Sequence, residues 1–381
     1  MPGSETDRLN AAWWCCVVEP EDLHAAALRA GLGDEEAIAW AGADAPGPLP
    51  PALAGRGRRW AEAWERWRPR VLEARPRAEL EALESLGGRF LLPGDEGWPD
   101  ALDALGPAAP IGLWVLGRLP DAPPVALVGA RAATNAGERT AFDLGAGLAE
   151  RGVPVLSGGA FGIDAAAHRG ALAASGATLA VMAGGVGNPY PAAHGDLFSK
   201  MLERGGALVS EVPTSWRPAK WRFLGRNRLL AAWAGATVVV EASARSGALA
   251  TARRALDLGR PVGAVPGPVT SSASIGCHDL IRNGAILVRD VGEVLELVAP
   301  LEGSQAVLFG EPVVPDRGAD ALDPIARRVW EALPQRSSTT LARLSRAAGL
   351  GEREVLAALA GLELAGLVAS DSRGWARRRL G

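Results

Sequence analysis

The sequence predicts an α/β fold: a mostly parallel sheet with helices on both faces, between an N-terminal helical domain and a C-terminal winged helix. Three observations predict it. From Val125 to Val288, short apolar runs alternate with helical segments, the rhythm of a parallel sheet wrapped by helices. Residues 1–85 read as helix, and residues 322–381 read as three helices followed by a hairpin. The segmentation is a helical domain at 1–85, the α/β domain at 86–298, a linker at 299–321 and a winged helix at 322–381.

Each element has a local reason. In the first domain, helices are predicted over residues 23–30, 35–41 and 58–75, with prolines breaking the stretch 46–51. Trp60, Trp64 and Trp67 recur at i, i+4 and i+7, the spacing of one helix face. A packing face is the plain interpretation of that stripe. Residues 89–92 and 111–116 read as lead-in strands around a short helix after Trp98-Pro99. Strands follow at 125–128, 154–156, 178–182, 207–209, 236–240, 261–265 and 285–288. In such sheets the ligand crevice lies beyond the carboxyl ends of the strands. Gly129-Ala130-Arg131, Ser157-Gly158-Gly159, Gly184-Gly185, Ser210-Glu211, Glu241 and Pro266-Gly267 all fall on that edge.

The stretch PVLSGGAFGIDAAAHRGALAASG (residues 154–176) reads as strand, small-residue loop and helix. Gly158, Gly159 and Gly162 would let backbone N–H groups close on a ligand, at the positive end of the following helix. An anion site is one reading; a tight turn that needs glycine is the other. The spacing is not GxGxxG, so no dinucleotide fold is assigned. Asp164 argues against an anion, because a carboxylate there caps the same N–H groups.

Prolines and glycines fill 299–321, as in a linker. Beyond it, helices at 324–333, 340–348 and 352–364 precede a wing around Asp371. The third helix carries Glu352, Glu354 and Glu363 against Arg353 alone, a poor phosphate-binding face. Protein contact or packing is therefore as good a reading of it as DNA contact.

Composition narrows the function. The chain has 381 residues, 48% of them apolar, and a net charge of −3. A core is expected and a wholly basic nucleic-acid coat is excluded, so any such site must be a local patch. Cys15, Cys16 and Cys277 lack metal or disulfide spacing, and the first two sit in an apolar run that predicts burial. No signal peptide or membrane span is expected, which predicts a cytoplasmic protein. Lys200 and Lys220 are the only lysines, so the position of an arginine informs more than the count.

One local patch stands out. Residues 216–228, WRPAKWRFLGRNR, hold Arg217, Lys220, Arg222, Arg226 and Arg228 with no acidic residue. Trp216, Trp221 and Phe223 are interleaved. Cations track a phosphate backbone and aromatic rings stack unpaired bases. A solvated basic turn whose aromatics plug the core is the competing reading.

Here the residues carry a resemblance. Val128-Gly129-Ala130-Arg131, Ser157-Gly158-Gly159-Ala160-Phe161-Gly162-Ile163-Asp164 with Ala167-His168, Tyr190-Pro191, Ser210-Glu211, Phe223 with Arg226-Asn227-Arg228, Val240-Glu241, Ser246-Gly247 with Thr251-Ala252, and Val265-Pro266-Gly267 occur in one order. Gly276, Leu280-Ile281 and Gly284-Ala285 close the set. Over residues 90–290 the chain resembles the DprA/Smf family of DNA-processing proteins of natural transformation. The resemblance implies an extended Rossmann-like fold that forms a homodimer, binds single-stranded DNA, protects it and loads the recombinase RecA. No catalytic residue, cofactor or metal is expected, because no Ser-His-Asp order, metal-ligand cluster or GxxxxGK(S/T) loop is evident in the sequence. Carried over, it puts Arg131 in a phosphate-gripping pocket and makes Lys220 and Phe223 the family's Lys-x-x-Phe. Arg226 and Arg228 complete the basic pocket, with a buried ion pair that braces the loop as the alternative for one of them. Gly158, Gly159 and Gly162 admit the strand. Two departures stand out. Phe161 occupies a position where the family often carries arginine, and the N-terminal region lacks a clean helix-hairpin-helix glycine motif.

The enzymatic alternative is a nucleotide-binding hydrolase on a similar scaffold, of the Lonely Guy phosphoribohydrolase type, or a nucleotide-sensing regulator. Asp164, His168, Glu211 and Glu241 are the candidate acid–base groups. The Pro-Gly-Gly-x-Gly-Thr loop of those hydrolases is missing, and Pro268 follows Pro266-Gly267. His168 reads as a packed helical histidine, and His194 and His278 as loop residues without evident partners.

Overall fold

The computed structural model describes residues 3–54, 59–298, 323–334, 338–371 and 374–377. The chain divides into two compact units, Met1–Pro300 and Leu301–Gly381. The predicted linker, 299–321, lies outside the described residues.

Six helices open the first unit: α1 Glu5–Val17, α2 Leu23–Leu32, α3 Asp34–Gly42, α4 Pro51–Ala54, α5 Trp60–Glu73 and α6 Pro76–Ser85. Helix α1 starts at a reciprocal cap in which Ser4 Oγ accepts from Asp7 N (3.1 Å) and the Asp7 carboxylate accepts from Ser4 N (2.8 Å). The single helix expected over 58–75 ends at Glu73, because Pro76 cannot continue it and instead starts α6. Trp60 and Trp67 are buried and Trp64 is half-buried, so the stripe is a packing face. Cys15 and Cys16 are buried.

Nine strands follow: β1 Arg89–Leu91, β2 Leu113–Gly117, β3 Val125–Gly129, β4 Val155–Ser157, β5 Thr178–Val181, β6 Ala207–Ser210, β7 Ala236–Glu241, β8 Val262–Ala264 and β9 Ile286–Leu287. They lie in the order β1-β2-β6-β5-β4-β3-β7-β8-β9. The β1–β2 and β2–β6 pairs are antiparallel and every other pair is parallel. The covering helices are α7 Asn135–Glu150, α8 Ile163–Ala173, α9 Gly195–Glu203, α10 Lys220–Trp233, α11 Gly247–Asp257, α12 Ile275–Arg282 and α13 Val291–Val298.

Alternate residues of one strand feed opposite layers. Ala126 and Val128 join the core shared with α10, α11 and α12. Val125 and Leu127 join the core shared with α7, α8 and α13. Trp114, Leu116 and Leu208 carry that second layer on to α1, α6 and α9. The basic run of residues 216–228 is not a turn: from Lys220 it is the first half of α10, and Leu229–Trp233 of that helix is buried against the sheet.

The second unit holds α14 Pro324–Ala332, α15 Leu341–Ala348, α16 Glu352–Leu364 and the antiparallel hairpin β10 Val368–Asp371 with β11 Gly374–Arg377. Val329, Leu344, Val355, Leu359 and Val368 form its core. Gly349 ends α15 in the left-handed region, at φ 64°.

His168, on α8, is wholly buried. Its Nδ1 lies 2.7 Å from Thr178 Oγ1, which donates to Val155 O at 3.1 Å. The hydroxyl proton is thus used, so the imidazole proton sits on Nδ1, and Nε2 is buried without a partner among the described residues. Burial, aided by the nearby His194, Arg226 and Arg169, pushes the imidazole down to about 3. Below a pH of about 6.5 the unfolded chain gains a proton here that the folded chain refuses. The stability this group contributes is complete above that pH and is lost as pH falls toward about 3. Unfolding free energy should therefore fall by up to about 1.4 kcal/mol per pH unit between pH of about 6.5 and 4.5 from this group alone. Denaturant titrations of the parent chain and His168→Gln check it: the substitution should flatten the slope, and equal slopes would remove His168 as the cause.

Candidate nucleic-acid interface

The strand order creates the site. The chain runs β3, β4, β5, β6 toward one edge, then crosses back so that β7 pairs with the other side of β3. Connections leave the carboxyl ends of β3 and β7 in opposite directions, which opens a crevice between them. A cavity of about 530 Å³ lies there. Gly129 at the end of β3 and Ala130 and Arg131 after it line it, with Phe223 and Arg226 from α10, and Ser243 and Ser246 after β7. Ser246 caps α11 by accepting from Ala248 N at 3.3 Å. The positive end of that helix opens on the cavity, because Ser246, Gly247 and Ala248 all line it.

The glycine loop after β4 lies beside the cavity: Ala160 and Asp164 line it, whereas Gly158, Gly159 and Gly162 do not. A Cβ on Gly158 would collide with the Arg226 guanidinium, and one on Gly162 would collide with Ala130 O. Gly162 also has φ 72°, a region glycine enters without cost. Asp164 Oδ2 accepts from Gly158 N (3.1 Å) and Ala160 N (3.3 Å). Two loop donors are thereby occupied by the protein's own carboxylate. Arg226, buried, donates to Gly158 O at 3.1 Å and also to Val181 O. Burial pushes Arg226 down to about 10, against the opposing pull of Asp164, so it is still a cation at neutral pH. Burial raises Asp164, and the Arg226 charge and loop hydrogen bonds oppose that shift.

In the same cavity wall, charge and ring meet. The Arg131 guanidinium lies over the Phe223 ring, 4.9 Å from its centroid, a cation–π geometry. Tyr190 meets Phe223 edge-on at 5.8 Å. Lys220 is exposed at the first residue of α10, three residues and thus nearly one turn before Phe223. Phe161 tips the glycine loop, 47% exposed, with its ring against His194 at 4.5 Å. Neither Phe161 nor Lys220 lines the cavity.

Arg228 lies elsewhere. It is fully buried and makes a two-pronged pair with Glu211, one arm at 2.7 Å. Its Nε donates to Ala108 O at 2.8 Å, and Glu21 lies 3.6 Å away. The Glu211 and Glu21 charges hold its pKa up despite burial. Of the two arginines expected in the basic pocket, Arg226 reaches the cavity and Arg228 is the brace.

The candidate acid–base groups are all engaged. Glu241 accepts from Thr134 N and Thr134 Oγ1, both at 2.8 Å, and so secures the start of α7. Glu211 holds Arg228, Asp164 holds the loop and His168 is packed. His194 and His278 do have partners, unlike the expectation: His194 Nδ1 lies 3.0 Å from Gly159 O, and His278 Nε2 lies 3.0 Å from Gly267 O. Both partners are backbone carbonyls distant in sequence, which spacing does not reveal. Ser243 follows β7 and was open to the strand-end rule. Ser272 and Ala273 also line the cavity, but they lie eight and nine residues beyond the end of β8 at Ala264, too far for that rule to reach.

Comparison with known proteins follows the same map. Residues 89–299 match the family described as DNA recombination-mediator protein A, and residues 313–372 match the DprA winged helix domain. A putative DNA processing protein DprA of Mycobacterium tuberculosis is 48% identical over 317 residues, 80% of either chain. The Smf protein of Escherichia coli is 38% identical over 262 residues, 67% of this chain and 68% of that one. The crystal structure of DNA processing protein A from Streptococcus pneumoniae superposes with a TM-score of 0.60 at 28% identity, over 78% of this chain and 98% of that one. A nine-stranded sheet with a cation-and-ring crevice at its reversal, matched over more than half its length by one family, makes this chain a member of the DNA recombination-mediator protein A family, the DprA/Smf proteins.

Proposed function

We propose that this chain is a non-catalytic recombination mediator that binds single-stranded DNA at the sheet reversal, protects it and loads RecA onto it, acting as a homodimer. The observation that carries the reading is Arg131 stacked over Phe223 at the mouth of the cavity. A guanidinium grips a phosphate while the adjoining ring offers a face to an unpaired base, a surface that a duplex does not present. Lys220 adds an exposed cation on the same helix turn as Phe223. Arg226 supplies a fixed positive charge at the cavity wall, and Gly158 leaves room for its guanidinium. Phe161 adds a second exposed ring. The engagement of Asp164, Glu211 and Glu241 in structural bonds favours this reading over a hydrolase on the same scaffold.

Labelled single- and double-stranded oligonucleotides titrated at two salt concentrations test it. The single strand should bind tighter and weaken with salt. Arg131→Ala and Lys220→Ala should each weaken binding alike for all sequences and lower the salt slope by about 0.7, the value for one lost phosphate contact on a single strand. Phe223→Ala should cost about 1–3 kcal/mol with little change in slope. Unchanged binding in all three variants would remove the site. RecA loading is read separately, as faster RecA filament formation on single-stranded DNA when the chain is added.

The two arginines of the Arg-Asn-Arg run should behave differently from Arg131. Arg228→Ala leaves Glu211 buried and unpaired, and should cost about 3–5 kcal/mol of stability. Arg131→Ala, at an exposed position, should stay within about 0.5 kcal/mol of the parent. Thermal unfolding of both variants checks the division between brace and contact.

A further inference from the structure

We infer that a second nucleic-acid subsite lies on the opposite side of the first turn of α10, between that turn and the N-terminal helices, and takes the continuation of a strand held at the sheet reversal. The inference rests on the single-strand reading above and extends it to a part of the chain that reading does not use.

A groove of about 590 Å³ runs there, lined by Arg70, Arg75, Trp216, Arg217, Trp221 and Arg222. Trp221 is 60% exposed, and it is the one tryptophan of the thirteen that stands exposed. A large ring left in water is what a stacking platform requires and what a packing residue avoids. Exposed Arg217 precedes it, and exposed Arg75 lines the same groove.

The wall behind the ring is preorganised. Two guanidinium groups lie against the Trp216 ring, Arg222 at 4.4 Å from its centroid and Arg70 at 4.9 Å. Both guanidinium groups are bonded to Glu19, with Arg222 at 2.8 and 2.9 Å. Glu79 accepts from Ser215 N at 2.9 Å and from the Ser215 hydroxyl. Two carboxylates, Glu73 and Glu79, face the groove. Glu79 is occupied by Ser215, so the exposed cations Arg75 and Arg217 face Glu73 as the remaining opposing charge.

Helix geometry links the two subsites. Successive residues turn by about 100°, so Lys220 lies on the arc between Phe223, about 60° to one side, and Trp221, about 100° to the other. Phe223 borders the reversal cavity and Trp221 the groove. A strand that leaves the first ring and crosses the first turn therefore passes Lys220 before it meets the second ring. A helix is about 10–12 Å across with its side chains, so the crossing is short.

The test uses the full chain and two labelled oligothymidylates, one of about six nucleotides and one of about twenty, which bracket the span of a single site. Trp221→Ala should weaken the long oligonucleotide about tenfold, the order expected for one lost stacked base, and leave the short one within about twofold. Trp221→Phe should restore most of the loss. Arg217→Ala should lower the salt slope by about 0.7 for the long oligonucleotide alone. Arg131→Ala should weaken both lengths. If Arg131→Ala weakens both while Trp221→Ala and Arg217→Ala change neither, the second subsite is overturned and the first stands. Equal loss on both lengths with Trp221→Ala also overturns it. So does altered sedimentation with unaltered DNA affinity, which would make the ring a protein contact. Failure of the parent chain to bind either length would overturn both readings. Should Trp221→Ala unfold early in a thermal scan, Arg217→Ala decides the question on its own.

Discussion

The arrangement at the sheet reversal depends on one buried cation. Arg226 donates to Gly158 O at the end of β4 and to Val181 O at the end of β5. It thereby ties α10 to two neighbouring strand ends at once. A guanidinium out of water is costly unless its donors are used and a counter-charge is near. Asp164 supplies the counter-charge from across residue 158, whose N–H it accepts while its carbonyl takes Arg226. Glycine is needed at that position because a Cβ would occupy the space of the guanidinium. The same contacts fix the start of α10 over the crevice, which sets where Phe223 can stand and therefore where Arg131 finds a ring.

A second set of ion pairs sorts the rest of the basic run. Glu19 binds Arg222, and Glu21 lies near Arg228 and Arg254. Both acids come from the α1–α2 connection, where Glu21 adopts φ 65°, an uncommon conformation for a residue with a Cβ. A stretch that looks uniformly cationic is thus two populations. Arg222, Arg226 and Arg228 are buried and spend their charge on carboxylates and carbonyls. Arg217 and Lys220 are exposed and keep theirs for solvent or a ligand. Periodicity makes part of the division: with 3.6 residues per turn, positions 222, 226, 229 and 233 share one face, while 220, 221 and 224 fall away from it. Arg228 falls on the angular side of 220 and 221, two turns on, and is buried there against Glu211.

This is also where the sequence was legible and where it was not. The parallel strands β3 to β8 are visible as apolar runs, because buried parallel strands need unbroken apolar residues. Their convergence on one edge follows from the strand-end rule alone, and that edge holds the cavity. The helical state of Lys220–Trp233 was hidden, since a dense run of cations and aromatics masks the amphipathic period. The roles of its arginines were hidden for a different reason. Arg222 meets a carboxylate 203 positions away and Arg228 donates to a carbonyl 120 positions away; no local pattern encodes such partners. His194 and His278 went unpaired on paper for the same cause. The sequence leaves open which of the two arginines braces the loop through a buried ion pair, and the pair with Glu211 assigns that part to Arg228.

Phe161 illustrates how a substituted residue changes the currency of a loop. It sits between Ala160 and Gly162, at a position where the family often carries arginine. Its ring rests on His194, which is held by Gly159 O and lies edge-on to Phe198 at 6.1 Å. The loop tip is therefore secured by edge-on ring contacts rather than by a cation reaching for solvent. Half of the Phe161 surface remains open, on the same sheet edge as Tyr190 and Phe223. An arginine there would add long-range attraction that salt screens. A ring adds short-range contact that salt leaves largely alone. At position 161 the loop therefore carries apolar surface, and the exposed cations nearest Phe223 are Arg131, over its ring, and Lys220, three residues before it.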